Sequence, residues 1–149
     1  MIWTLSNRFD PRARELADRH YSRRKPGSPQ FVAPGRCLVL FRPGALWVSL
    51  DQRFVKHRWP GAWVCALFRN ESEYRSSELI REAVAETVRR WGPIPDAGFL
   101  TFVDGAKTSS RRSRRHAPGH CFRVAGWTEI ARIDGREHGR AELVVLRYR

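Results

Sequence analysis

The stretch from Trp63 to Trp127 limits what this chain can fold into more than any other. Trp63-Val-Cys-Ala-Leu-Phe68 is apolar throughout, too short to span a membrane and of the length of a buried strand. From Ser76 to Trp91 the apolar residues Ile80, Val84, Val88 and Trp91 recur three or four apart, with Leu79 and Ala83 beside them. Arg81, Glu82, Glu86, Arg89 and Arg90 take the other side, which predicts an amphipathic helix. Ser76 or Ser77 is expected to cap its start, Glu78 suits its first turn and Arg89-Arg90 its last, and Gly92-Pro93 ends it. Gly98-Phe-Leu-Thr-Phe-Val-Asp104 reads as a second buried strand finishing on a carboxylate. Gly119-His-Cys-Phe-Arg-Val-Ala-Gly-Trp127 predicts a helix of one or two turns closed by Gly126. A strand-helix-strand unit puts the helix N-terminus and the carboxyl end of the strand on one edge of the sheet, and chemistry is expected there.

The flanking segments extend this unit into a mixed sheet. Trp3 to Leu5 reads as a short edge strand, and Asp10-Pro11 opens a helix running to about Tyr21, with Ala13, Leu16, Ala17 and His20-Tyr21 along one side. Ser22 to Pro34 is a Pro-, Gly- and Ser-rich loop with Gln30-Phe31-Val32 in its middle. Cys37 to Phe41 and Leu46 to Leu50 form a hairpin across Arg42-Pro-Gly-Ala45. Asp51 to Gly61, with Lys56, His57, Arg58 and Trp59, is an irregular connection. Glu129 to Ile133 and Glu142 to Tyr148 form a terminal hairpin. The expected fold is a single α/β (α+β) domain over residues 1–149, a mixed central sheet flanked by helices, without internal repeats.

The charge points to a partner. Lys and Arg number 28 against 15 Asp and Glu, a formal net charge of +13, which favours a polyanion and most simply nucleic acid. Lys occurs only at positions 25, 56 and 107, so the charge is Arg, suited to bidentate phosphate contacts; a GC-rich genome would enrich Arg equally. It gathers in two clusters. Arg12, Arg14, Arg19, Arg23, Arg24 and Lys25 mark the first helix and its exit; Lys107, Arg111, Arg112, Arg114 and Arg115, with His116, follow Asp104. Each reads as a solvated surface or as a phosphate-binding one. Cys37, Cys65 and Cys121 form no C-x-x-C pair, which argues against a zinc finger or a disulfide framework, and neither they nor the five His are spaced as an identifiable metal set. No signal-like N-terminus or membrane-length apolar run is present, so a cytoplasmic location is expected.

Several residues carry two readings. Ser76 and Ser77 either cap the helix or join its first-turn N–H groups in holding an anionic or carbonyl part of a ligand. Asp104 either caps the next turn or faces a site as general base. Tyr21 would protonate a leaving group, stack on a base or fill the core; His20 is open in the same way.

The order of elements looks like the GCN5-related N-acetyltransferase (GNAT) fold, and three motifs resemble the phage Mom DNA-modification family within it. His20-Tyr21-Ser22 follows the first helix; Arg75-Ser76-Ser77-Glu78 opens the central helix where that family has Arg-Asn-Ser-Glu. Phe102-Val103-Asp104, a glycine-containing loop, and Phe122-Arg-Val-Ala125-Gly126-Trp127 are similar to its strand-end Asp and its Tyr-x-Ala-x-aromatic helix. Together they cover roughly residues 10–130. The resemblance implies an enzyme that places a small carbamoylmethyl- or acyl-type group on the exocyclic amine of adenine in double-stranded DNA and so protects phage or prophage DNA from restriction in the bacterial cytoplasm. It implies Asp104, Ser77, Tyr21 and His20 as catalytic residues and Arg75, Ser76, Glu78 and Phe122 as the donor site. Arg23, Arg24, Lys25, Lys107, Arg111, Arg112, Arg114 and Arg115 would bind DNA. It implies an acyl donor of the acetyl-CoA kind and admits iron. The acetyltransferase pyrophosphate loop, Arg/Gln-x-x-Gly-x-Gly/Ala, is absent, as in the Mom family, which leaves the donor open; the loop from Gly105 to Pro118 is more basic than that family's. Two rival functions stand beside this one: an acyl-CoA-dependent N-acyltransferase acting on a protein or small amine, and a non-catalytic nucleic-acid-binding protein.

Overall fold

The computed structural model describes residues 2–20, 26–29, 31–51, 58–104, 117–134 and 142–149. Its elements follow as β1 (Thr4–Leu5), α1 (Pro11–Asp18), β2 (Cys37–Arg42), β3 (Ala45–Asp51), β4 (Trp63–Asn70), α2 (Ser76–Trp91), β5 (Phe99–Asp104), α3 (His120–Val124), β6 (Thr128–Ile133) and β7 (Leu143–Tyr148). The strands make one seven-stranded sheet in the order β1-β2-β3-β4-β5-β7-β6. Every pairing is antiparallel except β4 with β5, which α2 connects as a crossover. The result is an α+β domain with a mostly antiparallel sheet.

Local chemistry explains most of the boundaries. Asp10 caps α1 by accepting from the Arg12 N–H, with Pro11 at the first helical position where a missing N–H costs nothing. The helix ends at Asp18, short of the expected Tyr21, because its last turn tightens: Arg19 N–H donates to Leu16 and His20 N–H to Ala17. Pro43-Gly44, with Gly44 at φ 82°, turns the β2–β3 hairpin as expected. α2 spans the expected residues and stops at Gly92 (φ 88°), but its start differs: Arg75 is the N-cap and makes no side-chain capping bond, so neither Ser76 nor Ser77 caps the helix. Glu86, expected on the solvent side, is buried beneath Arg89 and Arg90, which pair with it and hold its carboxyl below the usual range, chiefly through the Arg89 hydrogen bond. β6 and β7 pair as expected, and β7 also pairs with β5, so the last strand lies inside the sheet.

Cores form on both faces. Against α2 and α3, Trp47 is fully buried at the centre of Phe68, Phe99, Phe122 and Trp127, with ring centroids 5.6–6.5 Å away. A hydroxyl chain ties this side together. Thr87 donates to the Ala83 carbonyl at 2.8 Å, so Ser49 must donate to Thr87, and the Trp47 indole N–H donates to Ser49 at 2.7 Å. All three buried polar groups are thereby satisfied. On the other face Ala13, Leu16 and Ala17 of α1 cover Val39, Phe41, Leu46, Val48, Leu50 and Leu67. Gly119 starts α3 at φ 74°, and a Cβ there would lie 2.4 Å from Leu146 Cδ1, so only glycine lets the short helix sit this close to the sheet.

Candidate functional site

The parallel seam opens where the sequence places its chemistry. β4 and β5 pair at Trp63↔Phe99, Val64↔Leu100 and Cys65↔Thr101, while β4 runs on to Asn70 and β5 to Asp104 without further pairing between them. An extra residue, Ala66, bulges β4 at this point: Val48 faces Leu67 but Ser49 faces Cys65. Among the described residues the two carboxyl halves make no ladder with each other, and strand edges that part in this way can offer N–H and C=O groups to a ligand.

Side chains border this gap from two sides. Phe99 and Val103 belong to the core against α2, so alternation along β5 puts Leu100, Phe102 and Asp104 on the opposite face, the α1 side. Asp104 is 3% exposed. His20, at the exit of α1, is on the same side: its ring is hydrogen-bonded to the backbone of Phe68 on β4 and lies near Arg69. Burial, then the Arg69 charge, push the imidazole down to about 4, so it is neutral at physiological pH and holds a lone pair. Arg19 grips Glu71 with two bonds, 2.8 and 3.0 Å, and Arg69 bonds both Glu71 (2.9 Å) and the Arg19 carbonyl (3.1 Å), locking the end of α1 to the end of β4.

Asn70 organises the α2 side. Its amide donates to the Tyr74 carbonyl (2.8 Å) and to Ser76 Oγ (3.0 Å), and its carbonyl accepts from the N–H and hydroxyl of Ser72. Ser76 is therefore a structural partner of Asn70, with Ser77 beside it in the first turn and Arg75 and Glu78 exposed. Ser77 and Asp104 share an edge of the sheet but lie on opposite faces, so only a ligand within the gap reaches both. Phe122 is a core aromatic, 7% exposed and 5.1 Å from Trp127. Cys65, at the last paired rung, is pushed far up by burial and Cys121 is pushed up for the same reason; both are thiols, poor nucleophiles.

Tyr21, Arg23, Arg24 and Lys25 lie outside the described residues, as do Lys107, Arg111, Arg112, Arg114 and Arg115. Lys56 and His57 do too, with Gln30 and most of the connection between β6 and β7. Among the described residues no group of His, Cys, Asp and Glu is placed to hold a metal ion, so they offer no ligand set for iron. No described helix is long and apolar enough to cross a membrane. Asn70, Arg69 and Glu71 were not singled out from sequence. The Asn-Glu-Ser run is a turn signal that marks Asn70, whereas no local pattern announces the pairing of Glu71 with Arg19.

A groove of about 650 Å³ lies elsewhere, between the later turns of α2, the end of α3 and Tyr148. Tyr148 pairs with Phe99 at the start of β5, which sets this groove at the sheet edge opposite Asp104. Comparisons with family models, curated proteins and solved structures find no match for the chain.

The neutral His20 has a measurable consequence. An unfolded histidine takes its proton near pH 6.5 and the folded one resists until about 4, so the unfolded state binds more protons in that window and stability falls as pH drops through it. His20→Gln removes this dependence, and the wild type should lose up to about 3 kcal/mol more than the variant between pH 6.5 and 4. Urea unfolding at four pH values measures the difference, and parallel curves would refute it.

Proposed function

We propose that the chain is a transferase of the Mom type on a GNAT-like sheet, delivering a small carbamoylmethyl- or acyl-type group to the exocyclic amine of adenine in DNA. The observation that carries this reading is the opening of the parallel seam beyond Cys65 and Thr101, bordered by Asp104 and neutral His20 on one face and the first turn of α2 on the other. A gap of this kind between diverging strand edges suits an extended donor, held by backbone groups, whose reactive carbonyl comes beside a proton acceptor. For the acyl-type group, a donor of the acetyl-CoA kind supplies a thioester carbonyl. Asp104 accepts a hydrogen bond from the amine and takes its proton as nitrogen bonds to the carbonyl carbon, while the carbon–sulfur bond breaks and the thiolate leaves to take a proton from solvent. His20, unprotonated, is the second acceptor on that face. The net charge of +13 supports a DNA partner, with Arg holding phosphates and the target base flipped from the duplex at a few kcal/mol.

Mass spectrometry of nucleosides from the DNA of cells expressing the protein tests the reading. A modified deoxyadenosine, absent from cells without the protein, is the expected result. Unmodified DNA together with acylation of a protein or small amine by acyl-CoA would favour the general N-acyltransferase instead, and tight duplex binding without any modified base a non-catalytic binder.

A further inference from the structure

We propose that the groove between α2, α3 and the end of β7 is a second binding site, independent of the function above, for a small carboxylate with an apolar body. Its α2 wall is a single helix face: Arg81, Val84, Ala85, Val88 and Arg89 fall at the spacing that lines up on one side. Ile94, Ala125 and the Tyr148 ring complete an apolar floor. The Tyr148 ring is braced by Trp127, 5.9 Å away, and so forms a fixed wall. The volume of about 650 Å³ is within the range of small-molecule sites and too small for a folded partner.

Charge decides the ligand. Arg81 and Arg89 are the charged residues of the α2 wall, and no acidic side chain lies in the lining. Among the described residues Arg81 is held by one bond, from Nη2 to the Val124 carbonyl at 2.6 Å, which steadies the guanidinium and engages one of its five N–H donors. Arg89 is engaged by Glu86, whose carboxylate also serves Arg90, so one buried acid is shared by two Arg and a net positive charge is left at the rim. A planar carboxylate matches the guanidinium fork, and an aliphatic or aromatic body matches the floor.

Decanoate and decanol are the probes, titrated into the full chain by calorimetry and followed by amide NMR shifts. Decanoate should bind saturably with shifts confined to Val84, Ala85, Val88, Ala125 and Tyr148, and decanol about tenfold more weakly, for want of one charge-assisted hydrogen bond. Ala85 is exposed on α2, so Ala85→Glu keeps the fold and sets a carboxylate four residues from both Arg81 and Arg89. That variant should weaken decanoate about tenfold more than it weakens decanol, because only the carboxylate is repelled by the added charge. Equal binding of the two probes, shifts scattered over other Arg surfaces, or an unaltered decanoate affinity in Ala85→Glu would each overturn the proposal.

Discussion

Asp104→Asn should eliminate the modified nucleoside while duplex affinity and the unfolding midpoint stay near wild type. The exocyclic amine of adenine is a poor nucleophile because its lone pair is delocalised into the ring, so a carboxylate that orients it and accepts its proton contributes roughly 10²–10⁴-fold in rate. In the proposed reaction that carboxylate is Asp104, which ends β5 where the parallel seam has opened, on the face that also carries His20. Asparagine keeps the shape and removes the acceptor of the proton. Because the side chain is 3% exposed, a structural contribution must be separated from a chemical one. Asp104→Glu retains the charge and displaces it by one methylene, and a chemical role predicts partial activity for it and none for Asn at equal folded fraction. Wild-type modification by Asp104→Asn would end the assignment.

Duplex affinity should collapse with salt. If six or more phosphates are bound, the dissociation constant rises by about 10³-fold or more between 50 and 200 mM monovalent salt, because each neutralised phosphate releases condensed counterions. The charge of +13, almost all of it Arg, motivates the expectation. Replacing Arg111, Arg112, Arg114 and Arg115 together with Ala should flatten the slope of log affinity against log salt by about 0.9 for each phosphate that is no longer neutralised. The melting temperature should hardly move if these charges act on the partner rather than on the fold. Fluorescence anisotropy with a labelled duplex at five salt concentrations measures both slopes; a nearly flat wild-type line would remove phosphate binding as the basis of affinity, and an unchanged slope in the variant would remove this segment from the interface.

What could be read in the sequence was what is written locally. The spacing of Ile80, Val84 and Val88, the Gly92 stop, Asp10-Pro11, Pro43-Gly44 and Gly126 each act through their own neighbours, and the elements they specify are present at the expected positions. Glu86 escaped because burial of a carboxylate depends on two Arg in the next turn folding over it, not on its place in the hydrophobic period. Ser76 escaped because Asn70 competes for its hydroxyl, leaving Arg75 as an uncapped N-cap. The end of α1 moved for a similar reason: Arg19 finds Glu71, just past β4, and His20 the Phe68 backbone on that strand, pairings that span some fifty positions and that no window of sequence contains. At the site, the edge could be deduced from strand, helix and strand in succession. The separation of Asp104 and Ser77 onto opposite faces depends instead on the parity of β5, which the burial of Val103 fixes.

The placement of β7 between β5 and β6 has a consequence for the newborn chain. Synthesis delivers β6 before the strand that is its neighbour in the sheet, so on the ribosome β6 has nothing to pair with and β5 shows a bare edge beside the gap that bounds Asp104. Once β7 is made it pairs with both, Leu143 against Asp104 and Tyr148 against Phe99 on β5. The acidic end of β5 thus gains its partner on that side only from β7, and a nascent chain halted after Ile133 would carry its helices and six strand segments, the sixth without a neighbour, yet lack one border of the candidate site.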